Sequence, residues 1–194
     1  MGIEFEVKFR TTPETLAAME AALGGTFQTI HMETTYYDTR EGGLSARWYT
    51  LRRRMENGKS VCTLKTPEKG LGRGEYEVCC PDITAAISEL CKLSKIADLP
   101  ALTQDGLVAV CGAKFTRRAK TVTLPDCSVE IALDKGVLTG GTKSVPLCEV
   151  EVEQKGGSRE AVLAYARALA DRFALVPETG SKFRRALALA KGEP

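Results

Sequence analysis

The run Ile3-Glu4-Phe5-Glu6-Val7-Lys8-Phe9-Arg10 alternates apolar and charged residues without a break. Successive side chains of a β-strand point to opposite faces, so a strand here gathers Glu4, Glu6 and Lys8 on one side and Ile3, Phe5, Val7 and Phe9 on the other. The same one-faced charge recurs down the chain: Arg52 and Arg54; Thr63 and Lys65; Arg73, Glu75 and Glu77; Glu130 and Asp134; Glu149, Glu151 and Glu153. Two architectures satisfy this pattern. An ordinary half-solvated sheet turns those faces to water. A closed barrel turns them inward, around a ligand or a solvated channel, with helices over the apolar outside. Periodicity alone does not choose between them.

The segments between the charged strands read as helices and turns. Thr11 or Thr12 caps a helix with Pro13 in its first turn and Leu16, Met19, Ala22 and Leu23 at helical spacing. Strand-like sequence returns at Thr34 to Tyr37, Tyr49 to Met55, Val61 to Lys65 and Glu75 to Cys79, with Asn57-Gly58 marking a hairpin. Asp82 caps a helix running to Leu93. Strands resume at Phe115 to Leu124, Ser128 to Asp134 and Leu147 to Gln154. Ser158 caps a helix with Val162, Leu163, Ala166, Leu169 and Phe173 as its apolar stripe, and a short basic helix spans Ser181 to Ala190. With no repeat, low-complexity tract or long linker, a single α+β domain over residues 1–194 is expected.

Composition removes several function classes. Hydrophobic residues at 43% and charged residues at 27% describe a globular chain rather than a disordered one. The 27 basic and 25 acidic side chains nearly cancel, which gives no support for bulk nucleic-acid binding or membrane steering. One histidine, His31, makes a His-based zinc site unsuitable. Seven cysteines form no Cys-x-x-Cys pair and cannot all be bonded within the chain, so free thiols in a reducing compartment are expected. The start lacks the basic end and apolar run of a signal peptide, and no apolar stretch is long enough to span a bilayer; a cytoplasmic protein is expected. Gly58-Lys59-Ser60 is not a phosphate-binding loop, because the upstream glycine position holds Arg53 and the setting is a hairpin.

Glu4-x-Glu6-x-Lys8 resembles the N-terminal signature of the CYTH superfamily, the triphosphate tunnel metalloenzymes. Tyr36-Tyr37-Asp38-Thr39, Leu51-Arg52-Arg53-Arg54, Thr63-Leu64-Lys65, Arg73-Gly74-Glu75-Tyr76, Glu130-Ile131-Ala132-Leu133-Asp134, Glu149-Val150-Glu151 and Ser181-Lys182-Phe183-Arg184-Arg185-Ala186 are similar to the family's pattern, in its order. The motif alone is weak; the ordered series, spanning nearly the whole chain, is specific. The resemblance implies a closed eight-stranded antiparallel β-barrel, a tunnel with a charged interior flanked by α-helices. It also implies a triphosphate-bearing small molecule as partner, a divalent metal as cofactor, and it admits a homodimer.

Both signs of charge then have expected roles. Lys8, Arg52, Arg54, Lys65, Arg73, Lys182 and Arg185 are candidates to hold phosphate oxygens, the arginines through paired donors in a planar fork. Arg117 joins them, since the resemblance expects a basic tunnel residue at Arg117-Arg118 and neighbours on a strand face opposite ways; Ala119 stands where related patterns often carry a further basic residue. Glu4, Glu6, Glu149, Glu151 and Glu153 are candidate ligands of Mg²⁺ or Mn²⁺, hard cations that take oxygen donors. Glu4, Glu6 and Lys8 are the catalytic candidates, with Glu75, Glu77, Glu130 and Asp134 as supporting acidic residues. The ending and the Cys148 to Glu153 segment look closest to the bacterial inorganic triphosphatase branch, which implies hydrolysis of triphosphate to diphosphate and phosphate. A class IV adenylyl cyclase, a thiamine or nucleoside triphosphatase and a non-catalytic polyphosphate sensor stay open beside it.

Overall fold

A computed structural model describes residues 2–67 and 73–193, with the side chains of residues 2–4 and of Arg73 outside the described set. In chain order the elements are β1 (Gly2–Glu4), β2 (Glu6–Arg10), α1 (Pro13–Leu23), β3 (Gln28–Asp38), a 3-10 turn (Ser45–Arg47), β4 (Thr50–Glu56), β5 (Lys59–Pro67) and β6 (Arg73–Cys79). There follow α2 (Ile83–Ser94), α3 (Leu99–Leu102), β7 (Val108–Thr123), β8 (Cys127–Gly140), β9 (Lys143–Gly157), α4 (Arg159–Phe173), β10 (Val176–Pro177) and α5 (Lys182–Lys191).

The helix starts follow from their caps. Thr12, Asp82, Ser158 and Ser181 each accept a hydrogen bond from the backbone N–H three residues on, which satisfies one donor that the first helical turn leaves unpaired. Asn57 and Gly58 both adopt positive φ, 48° and 85°, and so make the tight hairpin between β4 and β5.

All strands join one antiparallel sheet in the order β1-β6-β5-β4-β3-β7-β8-β9-β2-β10. This corrects the expected closed barrel of eight strands. The sheet has ten segments, or nine runs if β1 and β2 count as one, and no ladder joins its two ends among the described residues. The difference lies at Phe5, where the N-terminal run breaks. Glu4 pairs with Arg73 of β6 on one side of the break, and Glu6 pairs with Glu153 of β9 on the other, so a single residue carries the chain from one end of the sheet to near the other. The Phe5 carbonyl accepts from the Gln154 N–H at 2.9 Å, and the Arg159 guanidinium lies 4.3 Å from the Phe5 ring. The break is thus held from β9 and α4.

Three apolar clusters cover the sheet. Phe9, Val129, Ile131, Leu133, Val150 and Val152 pack beneath α1 and α4. Leu51, Cys62 and Leu64 pack beneath α2 with Ile83, Ile87 and Leu90. Met32, Tyr36, Phe115, Leu138 and Leu147 pack with Phe183 and Ala186 of α5. Gly140 allows that last docking, because a Cβ there would stand 2.3 Å from the Ala186 carbonyl oxygen.

The sheet faces are not those of a half-solvated sheet. In β9 the alternating Glu149, Val150, Glu151 and Val152 are all buried, the valines in the α1–α4 cluster and the glutamates on the opposite face. At Glu149 and Glu151 that face is enclosed.

Candidate active site

The enclosed face surrounds a cavity of about 350 Å³. Two walls face it, and strand register sets each.

On one wall, β7, β8, β9 and β2 align their charged residues in rows. Arg117 lies beside Asp134, and Asp134 beside Glu149; Ala119, Ala132, Glu151 and Lys8 form the next row; Thr121, Glu130, Glu153 and Glu6 form the third. Small side chains in the middle row leave Glu151 free to lean toward the first. Its carboxylate accepts from Arg117 Nη2 and, at 2.7 Å, from Lys182 Nζ. Arg117 also donates through Nε and Nη2 to the two oxygens of Asp134, at 2.8 and 2.7 Å. Lys182, the first residue of α5, reaches Asp134 at 2.8 Å and Glu149 as well. Arg185 donates to Glu149 and pairs with Glu178 at 3.3 Å. Asp134 and Glu149 have side chains 0% exposed. Three buried carboxylates therefore meet three cations.

Their protonation follows from these contacts. Burial disfavours the charged form of Glu151, but Lys182 and Arg117 overcome it and hold the carboxyl well below the usual range. Burial likewise opposes the Lys182 ammonium, and Asp134, Glu151 and Glu149 outweigh it, raising its pKa far above that of free lysine. Arg117 is raised in the same way by Glu151 and Asp134. Glu149 goes the other way: burial and the nearby Glu151 raise its pKa despite Lys182 and Arg185. Lys8, half-buried and 2.9 Å from Glu6, has its pKa raised by Glu6 and Glu151 against the pull of desolvation.

On the facing wall, Arg52, Arg54 and Glu56 of β4 share one face with Lys65 of β5 and Glu75 and Glu77 of β6. Arg52 pairs with Glu75 at 3.1 Å and Lys65 with Glu75 at 3.2 Å, while the Thr63 hydroxyl donates to Glu77 at 3.0 Å. Arg54 pairs with Glu56 through Nη2, but its buried Nε finds no acceptor among the described residues. Burial, and after it the charge of Arg52, lower the Arg54 pKa against the pull of Glu56.

The cavity brings together most of the residues expected from sequence. Glu6, Lys8, Arg52, Arg54, Lys65, Arg117 and Lys182 line it, as do Glu75, Glu77, Glu130, Glu151 and Glu153. Glu4 and Arg73 pair in the backbone ladder, but their side chains lie outside the described residues. Glu149, Asp134 and Arg185 sit behind the lining, joined to it through Lys182. Arg118 faces the other side of β7, where it pairs with Glu20 of α1, so Arg117 is the residue that faces inward.

Asp134, expected as a supporting acidic residue, belongs to a tight group of buried carboxylates. Its oxygens, with those of Glu149 and Glu151, lie within 4.8 Å of one another, the one such buried group among the described residues. Glu6 and Glu153 are not in that group. Glu56 and Lys155 also line the cavity and went unnoticed in the sequence, although each continues the alternation of its strand, 52-54-56 and 149-151-153-155.

The sequence profile of the CYTH domain matches residues 2–187. A Haemophilus influenzae protein named inorganic triphosphatase is 28% identical over 162 residues, covering 81% of this chain and 46% of that protein, so the chain spans about half the length of this relative. A solved structure from Hippeastrum, of a candidate adenylyl cyclase described as having a dominant triphosphatase activity, superposes with a TM-score of 0.70 at 19% identity. The superposition covers 100% of this chain and 97% of that one. A candidate adenylate cyclase from Bacillus halodurans gives 0.63 at 18% identity, over 94% of this chain and 96% of that one. At such identities the likeness shows a shared fold: α+β, built on a large antiparallel sheet.

Proposed function

We propose that this chain, which belongs to the CYTH domain family, acts as a divalent-metal-dependent triphosphatase that cleaves inorganic triphosphate to diphosphate and phosphate. One observation carries the reading. Among the described residues the cavity lining holds seven cationic side chains (Lys8, Arg52, Arg54, Lys65, Arg117, Lys155, Lys182) and seven carboxylates (Glu6, Glu56, Glu75, Glu77, Glu130, Glu151, Glu153). A wall of balanced charge suits a polyanion that arrives with cations of its own. The buried Nε of Arg54, without an acceptor among the described residues, favours an acceptor oxygen beside β4.

The donor set fits a hard cation. Asp134, Glu149 and Glu151 offer only carboxylate oxygens, gathered within 4.8 Å, and they already hold the Lys182 ammonium as a cation. These three would hold Mg²⁺ or Mn²⁺, which when bound supplies Lewis acidity to phosphate or water oxygens. The remaining work falls to the chain's own side chains. Lys8, Arg52, Arg54, Lys65 and Arg117 grip the phosphate chain and offset charge on the departing diphosphate. Glu6, on the cavity face opposite Glu153 in the ladder, takes the proton of the attacking water as the terminal P–O bond breaks. Glu4 and Arg73 enter the proposal through the motifs that contain them.

The test is a substrate panel: tripolyphosphate, ATP, thiamine triphosphate and long polyphosphate, each with Mg²⁺ or Mn²⁺, with phosphate, diphosphate and cyclic AMP measured. Tripolyphosphate is expected to turn over fastest, yielding equal diphosphate and phosphate, with loss on Glu6→Gln. Cyclic AMP as the main product would replace this reading with a cyclase, and binding without turnover across the panel would replace it with a sensor.

A further inference from the structure

We propose that the Lys182 ammonium is the resident counter-ion of the metal-binding carboxylates and leaves them for the substrate's phosphate when a divalent cation arrives; this rests on the metal-dependent reading above. Lys182 Nζ lies 2.8 Å from Asp134 and 2.7 Å from Glu151 and also pairs with Glu149, the same three carboxylates whose oxygens cluster. A metal ion and the ammonium would compete for the same three carboxylates. The divalent ion brings twice the charge to a site that prefers hard cations.

The three cations of the cluster differ in how firmly they are held. Arg117 is fixed by a two-point fork on Asp134, and Arg185 is shared between Glu149 and Glu178. Lys182 is a point charge on a flexible stem. It already lines the cavity, with Nζ 5.1 Å from the Phe115 ring centroid, so rotation about its stem carries the ammonium from the carboxylates into the cavity. The helix itself stays anchored, by the Ser181 cap and by Phe183 against Tyr36 at 5.1 Å between ring centroids.

Coupling follows. In metal-free protein this cation is engaged by carboxylates; once displaced it is available to a phosphate oxygen, so metal and triphosphate each tighten the binding of the other.

Two measurements on the full chain, without any triphosphate, test the exchange. Calorimetric titration of Mn²⁺ into metal-free Lys182→Met should show binding at least about tenfold tighter than in wild type, because the competing ion no longer occupies the ligands. Equal or weaker binding by the folded variant overturns the proposal. Should that variant fail to fold, the wild-type protein decides: acetylation of Lys182 by an amine-reactive reagent, followed by mass spectrometry, should rise severalfold when Mn²⁺ is saturating. Unchanged labelling with Mn²⁺ bound overturns it. In the Glu6→Gln variant, with Mn²⁺ kept in excess over tripolyphosphate so that metal stays bound and the substrate stays intact, tripolyphosphate should protect Lys182 again, and failure to protect overturns the ammonium's assigned destination. Tripolyphosphate hydrolysis is measured separately, so loss of the substrate assignment and loss of the exchange are distinguishable.

Discussion

The two walls of the cavity hold similar charges in different ways. On the β7–β8–β9–β2 wall, Asp134, Glu149 and Glu151 are buried and tied to Arg117, Lys182 and Arg185 in a closed network. On the β4–β5–β6 wall the pairs are more open: Glu77 is 46% exposed and Glu56 29%, against 0% for Asp134 and Glu149. Buried ion pairs contribute little net stability when intact, yet losing one partner strands the others in low dielectric. The β7–β8–β9–β2 wall is therefore coupled to the fold through its buried pairs, while the β4–β5–β6 wall carries its charges in looser pairs.

The sharpest way to break that contrast is Glu151→Gln. Glu151 joins Arg117 to Lys182, so its neutralisation leaves two buried cations undercompensated. Unfolding in urea should show a loss of about 3–5 kcal/mol. Metal-dependent phosphate release should fall by about a hundredfold or more, the scale of removing a group that acts on developing charge. A variant with wild-type stability and turnover would show that the network is not what holds this wall.

Arg54→Met probes the other wall, with a smaller expected effect. Burial and Arg52 already disfavour the Arg54 guanidinium, so removing it should change unfolding free energy by no more than about 1 kcal/mol. The KM for tripolyphosphate should rise by about tenfold to a hundredfold, the worth of one charge-assisted hydrogen bond. If Arg54→Met loses as much stability as Glu151→Gln, the two walls are alike and the distinction fails.

Much of this was legible from residue order. The alternation in Glu6-Val7-Lys8 and in Glu149-Val150-Glu151 gives strands and shared faces, and the caps at Asp82 and Ser158 give helix starts, because both are local rules. Thr11 and Thr12 are equal candidates in sequence, and the structure decides for Thr12, whose hydroxyl accepts from the Thr15 N–H. Strand parity put Arg117 and Arg118 on opposite faces without saying which one turns to the cavity. Register was not legible. Nothing near Asp134 in the sequence indicates that it lies beside Glu149 and Arg117, since that depends on how β7, β8 and β9 slide past one another. The break at Phe5 was hidden too: Ile3 to Arg10 reads as one strand, and only the competition between β6 and β9 for its two halves divides it. Glu56 and Lys155 needed only the alternation carried one step further.

The finest contrast lies within the β7–β8–β9–β2 wall, between Glu149 and Glu151, and pH exposes it. The folded pKa of Glu151 lies below its unfolded value of about 4.3, so its ionised form contributes stability above that pH, and the contribution is lost as pH falls through the folded value. Glu149 has the opposite sign. Its folded pKa is raised, so its contribution is full below about pH 4.3 and fades as pH rises through the folded value. Urea unfolding of metal-free protein from about pH 4 to 7 separates them: the stability deficit of Glu151→Gln relative to wild type should widen as pH rises, and that of Glu149→Gln should narrow. Parallel trends would mean that the two carboxylates share Lys182 evenly. Opposite trends would mean that Lys182 and Arg117 favour the ionised form of Glu151, leaving Glu149 as the carboxylate most in need of additional positive charge.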